Sequence, residues 1–245
     1  MRMKIIFGFV ILGLIQPAAI ALASDEVINV HYHDRPPYAV STPSGMVSGL
    51  TASPVVKAFS QAGIQVAWIQ TPSNRQLRLV QGNSANDCVL GWFKNAEREQ
   101  FARFSQPIYR DKPQRVIALE SNRRVTKGTS LSALLRDQSL KLLVKSGYSY
   151  GPVVDQLLVK LKPQTTVVTG DNLSMLRMLN AGRVDYFFAA VEEIDYLIGI
   201  NDFARTDYQF LPFVELAQGT NRHLMCSRRV SDALLDRFNA HLPQY

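Results

Sequence analysis

The sequence predicts an α/β fold of two lobes with a ligand cleft between them. Strand and helix patterns alternate over residues 27–119, in the βαβ rhythm of a parallel sheet. A polar turn at 123–128 interrupts that rhythm, which restarts at 131. A chain of 245 residues has room for one large domain or two small lobes, and the restart favours two.

The elements follow in order. Residues 27–32 alternate as a strand and end in His31-Tyr32-His33-Asp34. Arg35-Pro36-Pro37-Tyr38 is an extended, rigid loop, because proline fixes φ and pushes the preceding residue out of the helical region. Residues 41–49, rich in Gly, Ser and Pro, read as a surface turn. A helix over 54–62 has Ser53 as N-cap, Pro54 at its first position and Gly63 at its end. A strand over 64–69, an amphipathic helix over 72–81 and a buried strand over 87–91 complete the first rhythm. That strand runs into a polar turn carrying Arg98, and a second turn is expected at 104–107 before a strand over 115–119.

In the second half, helices are expected over 131–136, 152–160, 173–180 and 192–198, with strands over 140–144, 166–168 and 184–190. Residues 208–213 start the way back, and a strand over 222–227 and a helix over 231–242 close the chain. The expected division is 24–119 for the first part of lobe one, 120–208 for lobe two, and 209–245 for the return and the rest of lobe one.

Residues 1–23 read as a cleavable export signal. Arg2 and Lys4 precede an apolar run over 5–15 that is short for a membrane span, and Ala21-Leu22-Ala23 has the form of a signal-peptidase site. No cysteine near that site suggests a lipid anchor, so a soluble periplasmic product beginning near Ser24 is expected. Removing Arg2 and Lys4 takes the formal charge from +7 to +5, spread thinly along the chain. Clustered basic residues with interleaved aromatics are missing, which argues against a nucleic-acid partner. Two cysteines remain, Cys88 and Cys226. An oxidising compartment suggests a disulfide; two buried free thiols are the other reading.

Several residues carry candidate chemistry. Arg98, just past a strand's carboxyl end, is placed to grip an anion by a two-pronged hydrogen bond; pairing with Glu97 or Glu99 at the surface is the alternative. Trp92 could stack on a ligand or fill the core. Arg75, starting a helix near the cleft, could reach a second anionic group or stay solvated. Glu192 and Glu193 could meet a ligand cation or cap the helix they open. His31, His33 and Asp34 could contribute to a zinc or copper site, but His223 and His241 lie far off in sequence, so no metal is expected. Ser149 has no histidine-and-acid company, and no nucleophile elbow occurs.

Pro37-Tyr38, Gly49-Leu50, Glu97-Arg98, Phe104-Ser105-Gln106-Pro107-Ile108-Tyr109, Gly147-Tyr148-Ser149 and Leu179-Asn180-Ala181-Gly182-Arg183-Val184-Asp185 fall in order along the chain. As a set they resemble the amino-acid-type (type II) periplasmic solute-binding proteins of ABC transporters, over essentially the whole exported chain. The resemblance implies two lobes joined by two crossing segments and closing on a ligand by a hinge. It assigns Arg98 to a ligand carboxylate, Tyr38 to an aromatic wall, and Ser149 to a hydroxyl at a helix N-terminus that also meets the carboxylate. It places Cys88 and Cys226 on neighbouring strands, and so implies the disulfide.

This sequence also departs from that pattern. The acidic residue that meets a ligand α-amino group should follow the strand after Asp185, where Ala190 stands; Glu192 and Glu193 are the nearest carboxylates. Gly91-Trp92-Phe93 supplies bulk where hydroxyls are usual. The expected ligand is therefore a small anion with an aromatic or extended body, held by Arg98, Ser149, Tyr38, Trp92, Phe93 and Tyr148, with Arg75 and Glu192 as further candidates. No cofactor is implied, and a monomer serving an ABC permease is expected. A periplasmic sensor feeding a membrane signalling protein is the alternative role. A dehydratase using Glu192 or Glu193 as acid or base is a minor one.

Overall fold

The computed structural model describes residues 27–244 apart from 44 and 127, so the export signal expected over 1–23 lies outside it. β1 (Ile28–Tyr32) leads through a small ribbon, β2 (Val40–Ser41) and β3 (Val47–Ser48), into helix α1 (Ala52–Gln61). There follow β4 (Val66–Gln70), α2 (Ser73–Gly82), β5 (Asp87–Phe93), the single turn α3 (Ala96–Glu99) and β6 (Ala102–Arg110). The middle of the chain holds β7 (Gln114–Leu119), α4 (Leu131–Arg136), β8 (Leu142–Lys145), α5 (Pro152–Leu161), β9 (Thr165–Val168), α6 (Asn172–Asn180), β10 (Tyr186–Ala190), α7 (Val191–Gly199) and β11 (Tyr208–Leu211). β12 (Asn221–Ser227) and α8 (Asp232–Asn239) complete it.

The strands form two five-stranded sheets, ordered β4-β1-β5-β12-β6 and β11-β7-β10-β8-β9. β1 runs parallel to β4 and β5, while β12, arriving from the far end of the chain, is antiparallel to β5 and β6. In the second sheet consecutive residues enter opposite cores. Val116, Leu142 and Tyr186 pack on one face, and Ile117, Leu143 and Phe187 on the other. A strand covered on both faces reads as an unbroken apolar run, as residues 184–190 do apart from Asp185.

The lobe boundary differs from the expected one. Residues 114–119, counted with the first lobe, form β7 of the second sheet, paired with β10 and β11. β11 also belongs there, so the return begins after Leu211 rather than at 209. The chain therefore crosses between sheets at 111–113 and comes back over 212–220. The two crossings touch. Asp111 N donates to Thr220 O at 3.1 Å, and a Cβ on Gly219 would stand 1.6 Å from Asp111 O, a contact only glycine avoids.

Residues 104–107, expected as a turn, lie inside β6. A proline in mid-strand argues against a central position, but β6 is a sheet edge, and the register slips around His223 opposite Pro107. Cys88 and Cys226 are register partners on β5 and β12 and form a disulfide. Asp185 fixes a turn: it accepts from Asn122 Nδ2 at 2.9 Å, from Lys141 N at 2.8 Å and from Arg124. Among the described residues no helix is long and apolar enough to cross a membrane.

Candidate functional site

A cavity of about 70 Å³ lies between the lobes, walled by both. Its lining comes mostly from the carboxyl ends of strands and the turns beyond them, where open α/β sheets place their ligands. From the first lobe come His33, Arg35, Tyr38, Trp92, Phe93 and Arg98; from the second, Lys145, Tyr148, Ser149 and Glu193; Asp111, Gln114 and Arg222 stand at the crossing.

Three arginines line this cavity, Arg98 and Arg222 buried and Arg35 partly so, and among the described residues only Arg98 lacks a carboxylate in hydrogen-bond contact. Arg35 grips Glu193 with Nε and Nη2, both at 2.7 Å, across the two lobes. Arg222 grips Asp111 with Nε at 2.6 Å and Nη2 at 2.7 Å. Arg98 instead donates to two neutral carbonyls, Phe93 O at 2.7 Å and Gly147 O at 3.2 Å, and lies over the Trp92 ring at 4.7 Å. Burial pulls its pKa below the usual arginine value, with Asp155 as the main opposing pull. Asp155 itself is engaged by Ser149 Oγ and by Tyr150 N at 2.8 Å. Guanidinium donors left over from two carbonyls, in a site 6% exposed, suit an incoming anion. The local sequence builds this: Asn95 caps α3 by accepting from Arg98 N at 2.9 Å, which fixes the backbone from which the side chain turns inward.

Lys145, at the end of β8, is a second cation that no carboxylate pairs with among the described residues, although it pulls on Asp171, the cap of α6. Its ammonium lies 4.4 Å from the Tyr148 ring centre and 3.4 Å from Asn172 Oδ1. Tyr38 also faces the cavity, and its buried hydroxyl has no partner among the described residues. Burial pushes that hydroxyl's pKa up, so it remains a donor.

The protonation of His33 follows from a chain of contacts. The Trp92 indole can only donate, so Gln76 Oε1 faces it at 2.9 Å and Gln76 Nε2 points at Thr71 O, 2.7 Å, and at His33 Nδ1, 3.4 Å. Nδ1 then accepts, and Nε2–H donates to the Tyr148 hydroxyl at 3.1 Å, across the lobes. Burial, then Arg35, Lys145 and Arg222, drive the His33 pKa down to about 3. For Tyr148 burial pulls upward, but Arg35 and Lys145 outweigh it and the net shift is downward. A histidine kept neutral in the fold contributes stability present above its unfolded pKa near 6.5 and lost as pH falls from there toward about 3. Urea midpoints should therefore show a loss of ~2 kcal/mol between pH 7.5 and pH 5 that His33→Asn removes. An unchanged pH slope in that variant would refute the assignment.

Of the residues expected at the site, Arg98, Tyr38, Trp92, Phe93, Tyr148 and Ser149 line the cavity. Trp92 is core as well, packing on Val80, Val89 and Met225. The Ser149 hydroxyl is committed inside its own turn, donating to Asp155 and accepting from Gly151 N at 3.2 Å. Two expected residues stand outside. Arg75 is exposed on α2. Glu192 turns away to accept from Tyr109 Oη and Lys112 N, both at 3.1 Å, so its neighbour Glu193 is the carboxylate in the cavity. His31 is structural, bonded to Thr71 Oγ1 at 2.9 Å and Asp87 Oδ1 at 3.1 Å. Sequence reasoning missed Arg35, Lys145 and Arg222. The first two follow or end strands of the sheets, a position that could have flagged them.

Two α/β lobes joined by a double crossing, with a cavity walled by both, define a two-lobed binding protein. A family model described as bacterial extracellular solute-binding proteins, family 3, matches residues 28–242, and the chain belongs to that family. Solved structures share the fold at low identity. An ancestral arginine-binding protein bound to arginine is 17% identical with a TM-score of 0.67, covering 88% of this chain and 90% of its own. A putative L-cystine ABC transporter protein from Listeria monocytogenes is 14% identical with a TM-score of 0.68, covering 88% of each chain. An ancestral amino-acid-binding protein described as a precursor of cyclohexadienyl dehydratase is 16% identical with a TM-score of 0.66, again over 88% of each. No curated protein sequence matches the chain.

Proposed function

We propose that the protein captures a small anionic solute between its lobes, in the periplasm, and delivers it to an ABC-type importer. The observation that carries this is Arg98: a buried guanidinium in the interlobe cavity, held by neutral carbonyls and free of any carboxylate partner among the described residues. Export through a cleaved signal is supported by the pattern of residues 1–23 and by the disulfide, which suits an oxidising compartment. Membership of an extracellular solute-binding family supports the importer role.

Relatives in this fold bind arginine or are named for L-cystine. This chain's cavity already holds a guanidinium of its own, Arg35, against Glu193 and near the Tyr38 and Tyr148 rings. That favours an anion over a cationic amino acid here. Binding rather than turnover is favoured because the cavity carboxylates Glu193 and Asp111 are each held in a two-pronged pair.

Calorimetric titration of small carboxylates into wild type and Arg98→Ala tests the reading. Truncating the clamp should cost about 3 kcal/mol, on the order of a hundredfold in affinity. Retained affinity in the variant would end the assignment.

A further inference from the structure

The charges that line the cavity do not cancel. Arg35 with Glu193 and Arg222 with Asp111 are neutral pairs, while Arg98 and Lys145 are left over. His33 adds no charge at ordinary pH. Behind the wall, Asp155 and Glu97 pull on Arg98 and Asp171 feels Lys145, but none of the three lines the cavity; Asp155 is already engaged by Ser149 and Tyr150, and Asp171 by Ser174 N. A solute with one negative charge would neutralise one of the two leftover cations.

The place where a ligand ammonium would be received is also filled. A carboxylate beside aromatic faces is the chemistry that welcomes an alkylammonium. Here Glu193 and the rings of Tyr38 and Tyr148 meet that description, and Arg35 already occupies it, 5.0 and 5.3 Å from the two ring centres. An amine brought into this cavity would meet Arg35, Arg98 and Lys145, and among the described residues no lining carboxylate is left unpaired for it.

We propose that the ligand is a compact dianion without an ammonium group, one negative group on Arg98 and the other on Lys145. The inference rests on the anion reading above and adds Lys145 as a specificity-determining residue, with Arg35 as a built-in cation that rejects amines. The small cavity suits a short diacid. Asn172, beside the lysine ammonium, and the Tyr38 hydroxyl, unpartnered among the described residues, supply further polar contacts.

Three four-carbon probes separate the parts of the proposal: succinate, butyrate and aspartate. Titrated into the purified exported chain at pH 7.5 and fixed ionic strength, succinate should bind at least tenfold more tightly than either of the others. Lys145→Met should bring succinate down toward the butyrate level while weakening butyrate far less, and Lys145→Arg should restore most of the preference. Melting curves of both variants check that they fold. Equal affinity for succinate and butyrate, or a Lys145→Met loss shared equally by both, overturns the lysine assignment while leaving Arg98 standing. Aspartate binding as tightly as succinate overturns the rejection of amines. If none of the three binds wild-type protein, the anion reading falls with the inference.

Discussion

Arg222→Met is expected to lower the free energy of unfolding by about 3–5 kcal/mol. The guanidinium is buried and meets Asp111 at 2.6 and 2.7 Å, donates to Gly91 O at 2.9 Å, and lies 4.2 and 4.7 Å from the Tyr38 and Phe93 ring centres. Methionine fills part of the volume but leaves Asp111 buried without its paired cation, where burial already pushes its carboxyl up against the pull of Arg222 and, more weakly, of Arg35. Removing one partner of a buried pair costs far more than removing both, because the surviving charge stays desolvated. Arg222→Met with Asp111→Leu should therefore recover a good part of the loss. Asp111 also begins the crossing and donates its N–H to Thr220 O, so the damage falls on the joint between lobes. Urea midpoints of the single and double variants decide this. A single-variant loss under ~1 kcal/mol would show that the pair does not anchor the joint.

Much of this architecture was legible because it is local. Apolar periodicity exposed the helices, and continuous apolar runs exposed strands covered on both faces. Arg98 was legible because it stands in a polar turn just past the carboxyl end of a buried strand, within an ordered set of family motifs. What escaped depends on contacts made far along the chain. Arg35 looked like part of a rigid proline loop, and its carboxylate lies 158 residues away. Nothing near Arg222 announces Asp111, 111 residues earlier. Pro107 suggested a turn because proline cannot donate to a ladder, yet the edge position of β6 tolerates it. The choice between Glu192 and Glu193 was open in sequence, since both stand in the first turn of α7; packing turns the former to Tyr109 and the latter to Arg35. The polar groups that define the ligand are thus the least local part of the molecule.

Replacing both cysteines, Cys88→Ala with Cys226→Ala, is expected to cost about 3–5 kcal/mol and to lower the melting temperature by roughly 10 °C. The bond joins register partners in the middle of the first sheet and spans 138 residues, a loop that contains the entire second sheet. In the chain-entropy account a loop that long sits near the upper end of disulfide stabilisation, about 5 kcal/mol. The effect acts mostly on the unfolded chain, which the cross-link prevents from expanding, so the variant should also unfold with a larger urea m-value. Neither cysteine lines the cavity. The folded variant should accordingly keep the wild-type affinity for whichever carboxylate binds, which separates this loss from that of Arg98→Ala, where affinity falls. An unchanged m-value beside a full loss of stability would mean that the bond acts instead by holding β5 against β12 in the native sheet.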